Sequence, residues 1–289
     1  MDSGQNTYIT SADPSFNYLS YLPLVAKSCT LKSKSDLLLV LNLPTYFSKN
    51  LPQFCSKWTK LKVYELLPGI DPRVQAKISR MWAATEEEFY DNFITLCDID
   101  MVQLDDSREK VLEQFRGESL VKWGFDHPSY QVDPDIGKWP MDGTSAKGKI
   151  FQQIVNPKKI SFNSAVQEWQ KNSIFDLRAR PFNAFESFSD ESLLKVLLDK
   201  VTSEIPTVNV SRLIYERKML SSRLDKAEKQ PFFAKSFLVR REIHEFHGPR
   251  PFNHRTRIGR EILYQLEISL KEYETFVGDL KSILKSEMS

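Results

Sequence analysis

Glycine is scarce in this chain: 10 of its 289 residues, about half the usual share. Loops that cradle phosphate on backbone amides need several glycines at fixed spacing. Glycine scarcity therefore argues against a protein built on such loops, and any nucleotide must be held another way. Cysteine is scarcer still. Cys29, Cys55 and Cys97 cannot all pair with one another and form no CxxC, which argues against a disulfide framework and fits a reducing compartment. No histidine pattern accompanies them, so they read as small buried apolar residues rather than nucleophiles. Apolar runs are short: the longest span about five residues, as from Leu37 to Leu41, against the ~20 of a membrane helix. No basic and apolar leader pattern opens the chain, and a cytoplasmic setting is expected, the host's cytoplasm for a virus-encoded chain. Charge of one sign is not in excess either, with 40 basic against 38 acidic residues. HExxH, GxSxG and zinc-ligand spacings are missing.

What remains is a soluble composition, 41% hydrophobic and 27% charged, which excludes general disorder. Its length allows one large domain or two small ones. No repeat, low-complexity stretch or convincing linker divides it. The first hundred residues alternate between strands and helices. Asn6 to Ser11 is β-prone and closes on Asp13-Pro14. Helical spacing of apolar residues runs from Tyr18 to Ser28. Asp36 to Leu43 is a continuous apolar run, as expected for a strand buried on both faces. A helix over 50–59 and a strand from Leu61 to Leu67 follow. Asp71 caps a helix with Pro72 at its first position, running to about Ala84. Asn92 to Cys97 forms the next strand. Later, the pattern gives a helix over 189–201, a short strand from Pro206 to Val210 and one long amphipathic helix over 258–283. Strands separated by helices predict right-handed crossovers and an open, mostly parallel α/β sheet, whose ligands bind beyond the carboxyl ends of the strands. Ser11 to Asp13 and Asp98 to Asp100 lie at such ends.

Asp98-Ile99-Asp100 sets two carboxylates two residues apart directly after an apolar strand, with Ile99 free to turn back into the core. Hard ions such as Mg²⁺ or Mn²⁺ take oxygen ligands of this kind and keep open positions for diphosphate oxygens. A solvated turn has the same make-up, so spacing alone leaves both readings open. The order of elements that ends in this triplet resembles the nucleotide-sugar glycosyltransferases of the GT-A fold. Tyr90 to Met101 is similar to their "YDxxxxxDxDxxxL" passage, with Leu104 as its late apolar position. Tyr8-Ile9-Thr10-Ser11-Ala12-Asp13 resembles their first strand and nucleobase loop. Lys138-Trp139-Pro140-Met141-Asp142-Gly143-Thr144 is similar to a loop of small viral and bacterial members, including chlorovirus capsid glycosyltransferases.

That resemblance implies a single GT-A-like domain over 1–289, with a nucleotide-binding half (1–105) and an acceptor half carrying the C-terminal helix (106–289). It implies a metal held by Asp98 and Asp100, and nucleotide contacts from Thr10, Ser11, Asp13, Lys77, Arg80 and Ile99. Trp139 and Asp142 fall on the sugar and acceptor side. His247-Gly248-Pro249-Arg250-Pro251-Phe252 resembles the C-terminal His-Gly-Lys-Pro-aromatic element of retaining families. By that likeness His247 is a third metal ligand, with His244 as the alternative, and Arg250 meets the diphosphate. Asp190-Glu191 resembles the helix start at which inverting members keep their catalytic base; plain helix capping explains the pair equally well. The implied donor is a UDP- or GDP-sugar, the cofactor Mn²⁺ or Mg²⁺, and the acceptor a glycan or glycoprotein hydroxyl.

Charge distribution agrees. Residues 86–113 hold ten acids against Arg108 and Lys110, while 231–260 hold seven bases against Glu242 and Glu245. An acidic, metal-suited segment is thus paired with a basic, phosphate-suited one. Two other classes fit parts of the sequence. A non-catalytic protein of the same fold would bind nucleotide sugar without turnover. The basic stretch with Phe246 and Phe252 interleaved could serve a nucleic-acid module, against which stands the acidic triplet. Gly143 to Ile150 nearly fits GxxxxGK[ST], but Ile150 replaces the hydroxyl that would ligate Mg²⁺, so a kinase or ATPase reading is set aside.

Overall fold

The structure is a computed structural model. It describes residues 6–117, 119–123, 143–171, 189–201, 205–210, 221–223 and 245–287, the side chains of 170–171, 189–192, 209 and 221–223 excepted. The chain opens with β1 (Thr7–Ala12), two short helices α1 (Phe16–Leu19) and α2 (Leu22–Ser28), and a π-helical turn over Cys29–Ser33. The single helix expected from Tyr18 is thus broken at Ser20 and Tyr21, just ahead of Pro23 in the first turn of α2. Then come β2 (Asp36–Leu43), α3 (Asn50–Cys55), β3 (Lys60–Glu65), α4 (Pro72–Ala83) and β4 (Phe93–Leu96). The Asp71 side chain accepts from the Arg73 amide at the head of α4, the expected cap. Beyond them lie β5 (Met101–Gln103), α5 (Ser107–Leu112), β6 (Leu120–Trp123), β7 (Ser145–Lys147), α6 (Gly148–Val155), α7 (Phe162–Lys171) and α8 (Ser189–Asp199). The described chain ends with β8 (Thr207–Val210), β9 (Ser221–Arg223), β10 (Glu245–His247), α9 (Arg257–Gln265) and α10 (Leu270–Glu287).

Seven strands form one sheet in the order β3-β2-β1-β4-β7-β6-β8. Only β7 runs against the rest, antiparallel to both β4 and β6. The sheet is therefore mixed but mostly parallel, as expected. β2 shows why its apolar run is continuous. Leu37, Leu39, Leu41 and Leu43 point into one core with α2, α3, α9 and α10. Leu38 and Val40 point into a second, with α4, α6, α7 and α8. Each fully buried leucine contributes about 2 kcal/mol of transfer free energy, so both faces of the sheet need their helices.

One expectation is corrected. The helix over 258–283 is two helices, α9 and α10, separated at Leu266 to Ser269. Glu267 there adopts φ 57°. Its amide donates to the Tyr264 carbonyl and the Ile268 amide to that of Leu263, which is the paired C-cap pattern that closes a helix on a left-handed residue.

A second, three-stranded sheet, β5-β10-β9, stands beyond the carboxyl end of β4. β10 runs antiparallel to β5, with Glu245 opposite Gln103, Phe246 opposite Val102 and His247 opposite Met101.

Candidate active site

β4 ends at Leu96, and the next four residues carry the chain across the end of the sheet. Cys97 and Ile99 are buried in the first core, so Asp98 and Asp100 emerge on either side of them. Asp100 is almost wholly enclosed, at 1% relative exposure. Register brings in its partner. Side chains alternate along a strand, so Phe246 enters the core while Glu245 and His247 share the opposite face of β10. His247 lies across from Met101, one residue past Asp100, and its Nε2 is 2.9 Å from Asp100 Oδ2. Glu245 pairs with Arg108 in a buried salt bridge. This one pair, a base of the acidic segment with an acid of the basic one, ties the two segments together.

Asp98, Asp100 and His247 each offer one ligand atom, and these atoms all lie within 4.8 Å of one another. Asp100 Oδ1 is buried with no hydrogen-bond partner. Two carboxylates and an imidazole form a donor set for a hard or borderline divalent ion, and an orphaned carboxylate oxygen is the atom such an ion would satisfy. The residues fit a metal.

Two arginines surround the trio. Arg80 reaches from α4, its Nη1 donating to Asp98 Oδ1 at 2.5 Å and to the Cys97 carbonyl at 2.7 Å. Arg250 donates to Asp100 Oδ2 through Nε, has Nη2 3.3 Å from His247 Nε2 and lies over the Tyr18 ring, Cζ 4.8 Å from its centroid. Burial works against ionisation of Asp98, but Arg80, His247 and Arg250 outweigh it and hold the carboxyl well below its ordinary value. Burial likewise opposes the Arg250 charge, and Asp100 more than restores it, raising that guanidinium above its ordinary value. Gly248 seats this corner. A Cβ there would lie 2.2 Å from the Tyr21 hydroxyl and 2.5 Å from the Phe246 ring, so the backbone after His247 passes where no side chain fits. The Tyr21 hydroxyl then donates to the Pro249 carbonyl at 2.6 Å.

The other expected residues are distributed as follows. Thr10 is fully buried in β1 with its hydroxyl unpartnered, and Ser11 and Asp13 are half-buried at the end of that strand. Burial raises the Asp13 carboxyl, with Ser15 opposing. Lys77 is half-buried, one turn before Arg80 on α4. The Arg80 side chain is 5% exposed and donates to Asp98 and to the Cys97 carbonyl. Asp190 and Glu191 lie in the first turn of α8, their side chains outside the described residues. Trp139, Asp142 and His244 are outside the described residues altogether. Sequence reasoning missed Tyr18 as the seat of Arg250, for nothing local links residues 232 apart in the chain.

No protein-family model matches the sequence, and no curated protein does. By structure, the chain is similar to an active-site mutant of LgtC, with a TM-score of 0.50 and 12% identity over 93% of this chain and 99% of that one. It is also similar to the glycosyltransferase GlyE of Streptococcus pneumoniae TIGR4 (TM-score 0.48, 12% identity, 99% of this chain) and to mouse xyloside xylosyltransferase 1 (TM-score 0.42, 9% identity, 85% of this chain and 97% of that one). The chain spans 64% of the length of GlyE. The fold is the GT-A fold of glycosyltransferases, and at such identities the likeness is one of fold.

Proposed function

We propose that this chain is a metal-dependent glycosyltransferase that moves a sugar from a UDP- or GDP-sugar to a hydroxyl of a glycan or glycoprotein, in a cytoplasmic setting. The observation that supports this best is the convergence of Asp98, Asp100 and His247 within 4.8 Å at the end of β4. Among the described residues no helix is long and apolar enough to cross a membrane.

In this reading Asp98, Asp100 and His247 hold Mn²⁺ or Mg²⁺. When bound, that ion supplies positive charge against which a nucleoside diphosphate can depart. Arg250 supplies a second positive charge for the same leaving group, which gains negative charge as the sugar bond breaks. Arg80 is a positioning residue. It keeps Asp98 ionised through one hydrogen bond and is itself anchored by a second, to the Cys97 carbonyl. Thr10, Ser11 and Asp13 line the end of β1 for the nucleoside, with Lys77 beside them on α4. Trp139 and Asp142 serve the sugar. Asp190 or Glu191 takes the acceptor proton if configuration inverts, since a general base needs only reach and a modestly raised pKa. If configuration is retained, the outcome to which the likeness of the His247-to-Phe252 element points, that base is not required. The anomeric configuration of the product, read by proton NMR, distinguishes the two.

Thermal shift with UDP, GDP and their sugars, with and without Mn²⁺, tests the whole reading. A bound ligand raises the melting temperature according to its concentration over Kd. The expected result is a Mn²⁺-dependent rise with one nucleotide, lost in Asp100→Asn. No metal-dependent shift with any of them would sink the proposal. A rise without turnover of donor would point to the non-catalytic alternative. Oligonucleotide binding that needs no metal and weakens steeply with salt would point to nucleic acid.

A further inference from the structure

We infer that Arg250 stands in the divalent cation's place on Asp100 in the metal-free protein, so that the site takes its cation together with a diphosphate rather than alone. This deepens the metal and diphosphate reading above and rests on it.

All three ligand residues already have a cationic neighbour. Arg80 satisfies Asp98. Arg250 touches both of the others, donating to Asp100 Oδ2 and lying 3.3 Å from His247 Nε2. A metal ion on Asp100 Oδ1 and His247 Nε2 would meet the Arg250 guanidinium at the same nitrogen and on the same carboxylate, whose Oδ2 Arg250 already holds. Two cations cannot share those groups without strong repulsion in a buried setting, so one must leave.

The two arginines differ in which can move. Arg80 is 5% exposed and also anchored on the Cys97 carbonyl. Arg250 is 38% exposed, and its remaining partner is Tyr18, through the ring face and an Nη1 to hydroxyl contact of 3.1 Å. A flat aromatic face holds a guanidinium in more than one position. Arg250 can therefore leave Asp100 while still seated, provided another anion receives it. A diphosphate is that anion, because the guanidinium fork matches phosphate oxygens in pairs. A diphosphate arriving with the cation thus removes the competitor as it delivers the ion. A free cation has to break the Arg250–Asp100 pair with nothing given in return.

The test is titration of the full chain with MnCl₂ alone, following free Mn²⁺ by electron paramagnetic resonance, and again with saturating UDP or GDP. Arg250→Gln destabilises the metal-free state and relieves repulsion in the loaded one. Both effects act in the same direction. The variant is expected to bind Mn²⁺ alone about tenfold more tightly than the wild type, within the range of ordinary site-to-site coupling. The gain in Mn²⁺ affinity on adding nucleotide should shrink by a similar factor. Arg250→Met keeps the apolar stem over Tyr18 and repeats the measurement should the glutamine variant fold poorly. Equal or weaker Mn²⁺ binding by folded Arg250 variants, still abolished by Asp100→Asn, overturns the competition and leaves the metal site standing. No Mn²⁺ binding by any of the proteins, with or without nucleotide, removes the site and the inference with it.

Discussion

Arg80 holds Asp98 and the Cys97 carbonyl with the same Nη1, and the consequence of losing it can be set against that of losing Lys77. Arg80→Ala leaves a carboxylate and a carbonyl short of their donor. Breaking a buried pair costs roughly 3–5 kcal/mol, but Asp98 is 37% exposed, so about 2 kcal/mol is expected after solvent screening. Lys77→Ala removes a half-buried side chain that is not part of that pair and should cost less, about 1 kcal/mol, while weakening nucleotide binding. Urea unfolding of the two variants checks the contrast, and equal losses would contradict it. Acid provides a second measurement on the same pair. The Asp98 carboxyl is lowered by its cationic neighbours against the effect of burial, so its folded pKa lies below its unfolded one. Its contribution is complete above the unfolded value of about 3.9 and is lost as pH falls through the folded value. The stability gap between wild type and Asp98→Asn should therefore be flat from neutrality to about pH 5 and narrow below about pH 4. A gap that narrows near pH 6 would assign the titration to another group. Asp98 and Asp100 were legible as a pair because their spacing is local. Arg80 was legible only as a basic residue on the right helix, since its burial depends on packing against a strand end that spacing does not describe.

At the level of elements, the signals that worked were those with a nearby cause: the Asp71-Pro72 start of α4 and the unbroken apolar run of β2. The break between α9 and α10 lacked its usual marker. The left-handed C-cap position is most often glycine, and this glycine-poor chain uses Glu267 instead, at φ 57°. A different signal was present and unread. Ser269-Leu270-Lys271-Glu272 has the capping-box spacing, and the Glu272 amide donates to the Ser269 hydroxyl at 3.1 Å. β5 and β10, three residues each, were not legible because a strand that short is defined by its partner, here more than 140 residues away. Glu267→Gly is the test at this scale. The left-handed region costs a residue with a Cβ about 1–2 kcal/mol, and glycine's extra chain entropy returns part of that. The Glu267 side chain is exposed and sits at a helix C-terminus, where negative charge is unfavourable. A net stabilisation of about 0.5–1 kcal/mol follows, measurable as a rise in melting temperature. A fall would mean that Glu267 serves a contact outside the turn.

Across the whole molecule, the first core joins the two ends of the chain. Tyr8, Leu39 and Leu41 from the first half share it with Phe246, Leu263, Phe276 and Leu280 from the last. Phe276 stacks on Phe54 at 5.2 Å between centroids and meets Trp58 edge-on at 5.3 Å. The same interlock that puts His247 beside Asp100 thus depends on burial contributed by α10. Halves divided at residue 105 would each expose half of a core, so we expect one cooperative unfolding unit despite the length of the chain, at which intermediates are otherwise common. Trp58 reports on the first core and Trp169 on the second, across the sheet. In variants that keep one of these tryptophans, fluorescence midpoints in urea should coincide with each other and with circular dichroism. Phe276→Ala, at a site 2% exposed, should cost about 3–4 kcal/mol and lower both midpoints together. If the Trp58 transition moves ahead while Trp169 stays in place, the two faces of the sheet unfold separately, and the C-terminal element can leave the Asp98 and Asp100 pair without unfolding the rest.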